Sequence, residues 1–195
     1  MHILLAKGIM RKIITLLCLS VLLISADVEV SGVNYKTVDN FLDEEFILNG
    51  AGIRGKWFLD LYTIGLYVKS KSKDGSVILN SDANKYVKIV IVSGLITTEK
   101  FNNGLDDGFE KSTQGNVEPI KEEIDIIRKG FGTNFEIDDE FIVYFDNSGE
   151  TRIYKSGKET VSVPANKTFQ KALLGMWIGE NPVLKGLKEE LLGTD

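Results

Sequence analysis

The run Gly55 to Lys69, GKWFLDLYTIGLYVK, limits the folds open to this chain more than any other segment. It is too aromatic and β-branched to read as a helix. Read as a strand, it is apolar on both faces: Trp57, Leu59 and Leu61 on one, Phe58, Tyr62, Ile64 and Leu66 on the other. A strand with one wet face alternates apolar and polar residues, whereas a strand apolar on both faces has to be covered on both. The run therefore predicts a long central strand. YVKIVIVS, from Tyr86 to Ser93, is a second buried strand.

The rest of the chain supplies partners for these strands. Val28 to Tyr35 alternates loosely, and Phe46 to Leu48 reads as a short strand closed by an Asn49-Gly50 turn. Thr97 or Thr98 can cap a helix running to about Ser112, with Phe101, Leu105 and Phe109 on its apolar face. Gly104 and Gly108 share that stripe. A glycine inside a helix costs about 1 kcal/mol relative to alanine, so each needs a reason, either close packing or room for a ligand. Pro119 opens a helix through Ile120, Ile124 and Ile127 that ends near Gly130. Phe141 to Phe145, Thr151 to Lys155 and Thr160 to Val163 form a meander. Asn166 caps a helix carrying Phe169, Ala172, Leu173, Met176 and Trp177, and a last short helix carries Leu184, Leu187 and Leu191. Antiparallel strands with clustered helices make an α+β class. With no internal repeat or linker, residues 27–195 read as a single domain.

Residues 1–26 stand apart. Lys7, Arg11 and Lys12 precede IITLLCLSVLLISA, the pattern of a secretory signal peptide cut near Ala26. The apolar run is short of the roughly 20 residues a membrane-spanning helix needs, which favours removal over an uncleaved anchor. A periplasmic or secreted protein is expected. The only histidine, His2, and the only cysteine, Cys18, leave with that segment. Cysteine nucleophiles, Ser–His and Cys–His pairs, disulfides and His or Cys metal sites leave with them. The acidic pairs Asp106-Asp107 and Asp138-Asp139 lack the spacing of a calcium loop. No metal and no cofactor is expected. Loss of the leader takes the formal charge from −5 to −8, which argues against nucleic acid as partner.

Gly50-Ala51-Gly52-Ile53-Arg54-Gly55 spells a dinucleotide-binding fingerprint, but that motif needs a helix after it and here a strand follows. Arg54 is the residue of interest in this segment. A guanidinium is always charged, and one that points inward requires an anionic partner, either a protein acid or a ligand.

LNGAGIRGKWFLDLYTIGLYV (Leu48 to Val68) and KALLGMWIGENPV (Lys171 to Val183) resemble two signature segments of the chalcone isomerase fold family. Their order and the helices between them fit over about Val33 to Leu192, and the leader resembles the exported bacterial branch. The resemblance implies an open-faced β-sandwich, a large antiparallel sheet covered by a layer of helices, with a ligand cleft between the two. In the plant enzymes an Arg holds the nucleophilic hydroxyl, a Thr and a Tyr order a water at the ketone, and an Asn and a Ser or Thr contact the far end. Matched by position, Arg54 keeps the Arg. Tyr62 stands for the Thr with Thr63 beside it, Phe101 for the Tyr, Gly108 for the Asn and Met176 for the Ser or Thr. No residue is assigned a catalytic role on this match. The resemblance implies a non-catalytic protein that binds a fatty acid or similar amphipathic carboxylate, with Arg54, Tyr62, Thr63, Phe101, Gly108 and Met176 around the ligand. Two alternatives stay open. One is a chalcone isomerase-type lyase using the Tyr62 hydroxyl on a phenolic or enone substrate. The other is an envelope protein that binds a partner and has a filled cleft.

Overall fold

The computed structural model describes residues 27–56 and 59–195. The expected leader over residues 1–26 lies outside the described residues, as do Trp57 and Phe58. A short hairpin, β1 (Val28–Val30) and β2 (Val33–Tyr35), precedes the main sheet. Seven antiparallel strands then follow in sequence order: β3 (Val38–Phe41), β4 (Glu44–Lys56), β5 (Leu59–Val68), β6 (Lys85–Ile91), β7 (Glu140–Phe145), β8 (Thr151–Lys155) and β9 (Lys158–Val163). The helices are α1 (Gly75–Asn80), α2 (Thr98–Thr113), α3 (Lys121–Phe131), α4 (Lys167–Ile178) and α5 (Lys185–Leu192). None of the described helices is long and apolar enough to cross a membrane.

β5 lies between β4 and β6, and both its faces are covered, as the apolar run requires. On one face Ile64, Leu66 and Val68 join Val87, Ile89 and Ile91 of β6 against the helices, which contribute Leu105, Phe109, Ile127, Phe169, Leu173, Trp177 and Leu191. On the other, Tyr67, Tyr86, Tyr144 and Tyr154 pack with Phe46 and Leu48 beneath Tyr35 of the hairpin. Tyr67 and Tyr86 stack with ring centroids 4.6 Å apart. The helix-covered antiparallel sheet is the expected architecture.

The strand boundaries differ from expectation at one place that matters. The Asn49-Gly50 turn does not form, and β4 runs straight through it as a strand of 13 residues. Asn49 sits instead where the register slips between Leu48 and Gly50. Its side-chain amide is buried and fully used: it donates to the Ser72 carbonyl at 3.0 Å and to the Leu191 carbonyl at 2.7 Å, and accepts from the Ser72 N–H at 2.8 Å. Tertiary partners thus hold a bulge where the local sequence reads as a turn. The extra residue also inverts the facing of everything after it. Leu48 pairs with Tyr67 on the hairpin-covered face, whereas Gly50, Gly52 and Arg54 pair with Leu66, Ile64 and Tyr62 on the helix-covered face. Without the bulge, Arg54 would point to the wrong side of the sheet.

Other differences are smaller. Gly55 and Lys56 belong to β4, so the central strand starts at Leu59. Val28 to Tyr35 is broken by a Ser31-Gly32 turn, both residues at positive φ. α1 and β3 had no clear sequence signal. Thr97 caps α2, its hydroxyl accepting from the Lys100 N–H at 3.2 Å, and Asn166 caps α4, accepting from the Phe169 N–H at 3.1 Å.

Candidate functional site

The glycines of β4 seat a helix. α5 lies directly on them: a Cβ at Gly50 would overlap the Glu190 carbonyl and stand 2.7 Å from the Leu191 carbonyl oxygen. A Cβ at Gly52 would overlap the Glu190 carboxylate. That carboxylate accepts the Ile53 N–H at 3.0 Å. The glycine pattern is accounted for by this close approach, and the nucleotide reading has no helix to rest on.

Just past the helix contact, Arg54 stands opposite Tyr62 across the β4–β5 ladder, and Tyr62 stands opposite Ile91 of β6. Both side chains are half-buried. The Tyr62 hydroxyl accepts a hydrogen bond from the Trp177 indole N–H at 3.1 Å, and the Arg54 guanidinium is close enough to act on the same hydroxyl electrostatically. Burial is the largest influence on this phenol and pushes its pKa up, while Trp177 and Arg54 pull the other way. The net shift is upward, so Tyr62 is neutral at physiological pH. With its oxygen accepting from Trp177, the hydroxyl keeps its own proton to donate. Arg54 has no ion pair with any carboxylate among the described residues; Glu190, which reaches the neighbouring residue, engages one carboxylate oxygen with the Ile53 N–H.

Met176 and Trp177 are neighbours on α4. Trp177 reaches Tyr62, and Met176 lies against Gly108 of α2, where an added Cβ would be 3.0 Å from its methyl and 3.1 Å from its sulfur. Gly108 therefore answers to close helix packing. Gly104, one turn earlier, has nothing within 4 Å of a would-be Cβ. Phe101, in the first turn of α2, packs at 4.8 Å from Phe131 and 4.6 Å from Phe135. The structure thus links Arg54, Tyr62, Met176 and Gly108 on one face, with Phe101 in the aromatic cluster of the same layer.

Thr63 is not brought into this group. It points to the opposite face, where its hydroxyl accepts from the Tyr35 O–H at 2.8 Å and is fully buried. The reason is the two-residue period of a strand. Sequence reasoning missed Trp177 as a site residue. The available signal was chemical: a buried indole N–H needs an acceptor, and the acceptor it finds here is the Tyr62 oxygen. Among the described residues no three His, Cys, Asp or Glu side chains are grouped to hold a metal ion.

The resulting site has one cation with no ion pair among the described residues, one phenol with its proton to give, and apolar neighbours. It can hold an oxyanion by charge and a second hydrogen bond. Phe101, Gly108 and Met176 offer no hydroxyl or amide to activate a water.

Comparison with known proteins agrees with this architecture. No curated protein matches by sequence. Among solved structures, the Arabidopsis thaliana fatty-acid binding protein has a similar fold, with a TM-score of 0.61 and 18% sequence identity, over 83% of this chain and 92% of that one. A family model described as chalcone isomerase-like matches residues 27–193. From β1 to the end of α5, the chain belongs to the chalcone isomerase-like family.

Proposed function

We propose that this protein binds a fatty acid or similar amphipathic carboxylate without transforming it, and that it does so outside the cytoplasm after loss of residues 1–26. The observation that carries this reading is Arg54: a half-buried guanidinium on the helix-covered face, with no carboxylate of its own among the described residues and a neutral phenol beside it. A carboxylate offers two acceptor oxygens, one for each donor, and a charged hydrogen bond of this kind contributes about 1.5–3 kcal/mol. An acyl chain suits the apolar layer around Trp177, Met176 and Phe101. The fold neighbour named as a fatty-acid binding protein supports the same class of ligand. Export rests on the leader sequence alone.

One observation favours a second reading. The Tyr62 proton, next to a cation, is what a carbonyl oxygen of an enone would need for polarisation. A spectrophotometric assay with several chalcones tests it; no absorbance change above the buffer rate removes the isomerase.

The binding reading is tested by native mass spectrometry of the purified protein, with extraction of any co-purified small molecule, beside an Arg54→Ala variant. A bound acid in the wild type that is lost in the variant is the expected result. No bound molecule in either, with both folded, would refute the reading in favour of a partner-binding envelope protein.

A further inference from the structure

The opposite end of β6 holds a second cluster that the Arg54 site does not use. Lys85 opens β6 while Ile91, beside Tyr62, closes it, a separation of about 20 Å along the strand. Lys85 is only 7% exposed. Its ammonium donates to the Ser81 carbonyl at 2.8 Å, the carbonyl just past the end of α1, and it pairs with no carboxylate among the described residues. One carbonyl uses one of its three N–H bonds.

Lys85 lines a pocket of about 110 Å³ together with Lys167 and Lys171 of α4. That volume is well above the ~10–15 Å³ that admits one water. Lys171 donates to the Asn80 side-chain oxygen at 2.8 Å. Lys167 donates to the Asn147 carbonyl and pairs with Asp82 at 3.2 Å. Three lysines thus line the pocket with one acid, Asp82, a formal surplus of two positive charges. On its other side Lys85 borders a second pocket with Lys69 and Lys71, and Lys69 is paired to Glu44. Burial first, then the charge of Lys167, push the Lys85 ammonium down to about 8; Asp82 pulls the other way, and Lys171 adds a smaller downward push. Capping the end of α1 accounts for one bond of Lys85. It does not account for two further lysines converging on the same cavity, an arrangement whose repulsion an anion relieves.

We propose that the Lys85–Lys167–Lys171 pocket binds a compact, doubly charged oxyanion of the phosphate class. This proposal stands apart from the Arg54 reading and shares no residue with it. Its charge and size exclude a long acyl chain, and its side-chain and carbonyl acceptors leave the inner lysine with donors to spare. A phosphate could reach it as a free ion or as a lipid headgroup, and the recognition chemistry is the same.

The test is NMR of protein labelled at the lysine side chains, titrated with inorganic phosphate at fixed ionic strength. Lys85 signals are expected to shift saturably, and the Lys85 titration midpoint to rise from about 8 as phosphate saturates the pocket. A Lys167→Gln/Lys171→Gln variant, altered only at the accessible side of the pocket, is expected to weaken binding roughly tenfold or more while remaining folded. Co-sedimentation with phosphatidylcholine vesicles, with and without phosphatidic acid, separates the sources. Capture that depends on phosphatidic acid and on the two lysines assigns a headgroup, and phosphate binding without capture assigns a free ion. No saturable shift, an equal shift with chloride, or unchanged affinity in the double variant would overturn the proposal.

Discussion

Replacing Gly50 by alanine tests whether the glycines of β4 exist for the helix that lies on them. In an ordinary strand the change stabilises by about 0.5–1 kcal/mol, because glycine loses more freedom on folding. At Gly50 the added Cβ meets the carbonyls of Glu190 and Leu191, with the Leu191 oxygen at 2.7 Å and its carbonyl carbon at 2.8 Å. These are backbone atoms and have no rotamer to move into, so α5 has to shift as a body. Its seat holds the buried Leu187, Leu191 and Leu192, and overpacking of this kind costs about 1–3 kcal/mol. The shift also stretches two hydrogen bonds between α5 and β4: Glu190 to the Ile53 N–H at 3.0 Å, and Asn49 to the Leu191 carbonyl at 2.7 Å. Weakening them adds about 1–2 kcal/mol. After the entropic gain is subtracted, Gly50→Ala is expected to destabilise by about 1–4 kcal/mol, or roughly 3–15 °C in Tm for a domain of this size. Urea unfolding followed by circular dichroism measures it as a lower midpoint with an unchanged slope. A neutral or stabilising result would refute the packing account of these glycines.

Gly104→Ala is the matching positive control: with nothing within 4 Å, it is expected to stabilise by about 0.5–1 kcal/mol in the same unfolding assay. Arg54→Ala is expected to weaken fatty-acid affinity by roughly 10- to 150-fold, measured by calorimetric titration, with stability nearly unchanged. Tyr62→Phe, which removes one neutral donor, is expected to cost about 1 kcal/mol of the same affinity, a factor of roughly five. Lys85 supplies a pH test. Its folded value of about 8 lies below the ordinary 10.5, so between those values the unfolded chain holds a proton that the folded chain has lost. Stability contributed by this group therefore rises with pH across that window, by up to about 3 kcal/mol. Subtracting the profile of Lys85→Met isolates it, and parallel profiles for the two proteins would disprove the shift.

The central strand, the capped helices and the helix-covered sheet were legible because each is encoded by a local period or a local cap. Leu61 on one face and Ile64 and Leu66 on the other announce a strand covered on both, and Asn166 announces the start of α4. The bulge at Asn49 was not legible. An Asn-Gly pair looks like a turn until Ser72 and Leu191 are known to take its amide, and those partners are 23 and 142 residues away. The same contact decides which face Arg54 uses, so facing could not be counted off from Phe46. The split between Tyr62 and Thr63 was legible, since alternation sends neighbours to opposite faces. The Trp177–Tyr62 bond spans 115 residues and needs the assembled fold, as does the meeting of Lys85 with Lys167 and Lys171.

The claim that Arg54 anchors a carboxylate is tested most directly by the ligand itself. Palmitate labelled with 13C at its carboxyl carbon, titrated with acid while bound to the wild type and to Arg54→Ala, reports the ionisation of that one group. A carboxylate held by a guanidinium stays ionised to lower pH than one held without it. The account predicts a bound carboxyl resonance whose pKa is depressed in the wild type and moves up by about one unit or more in the variant. Identical titration curves for the two proteins, with palmitate bound to both, would show that Arg54 is not the anchor.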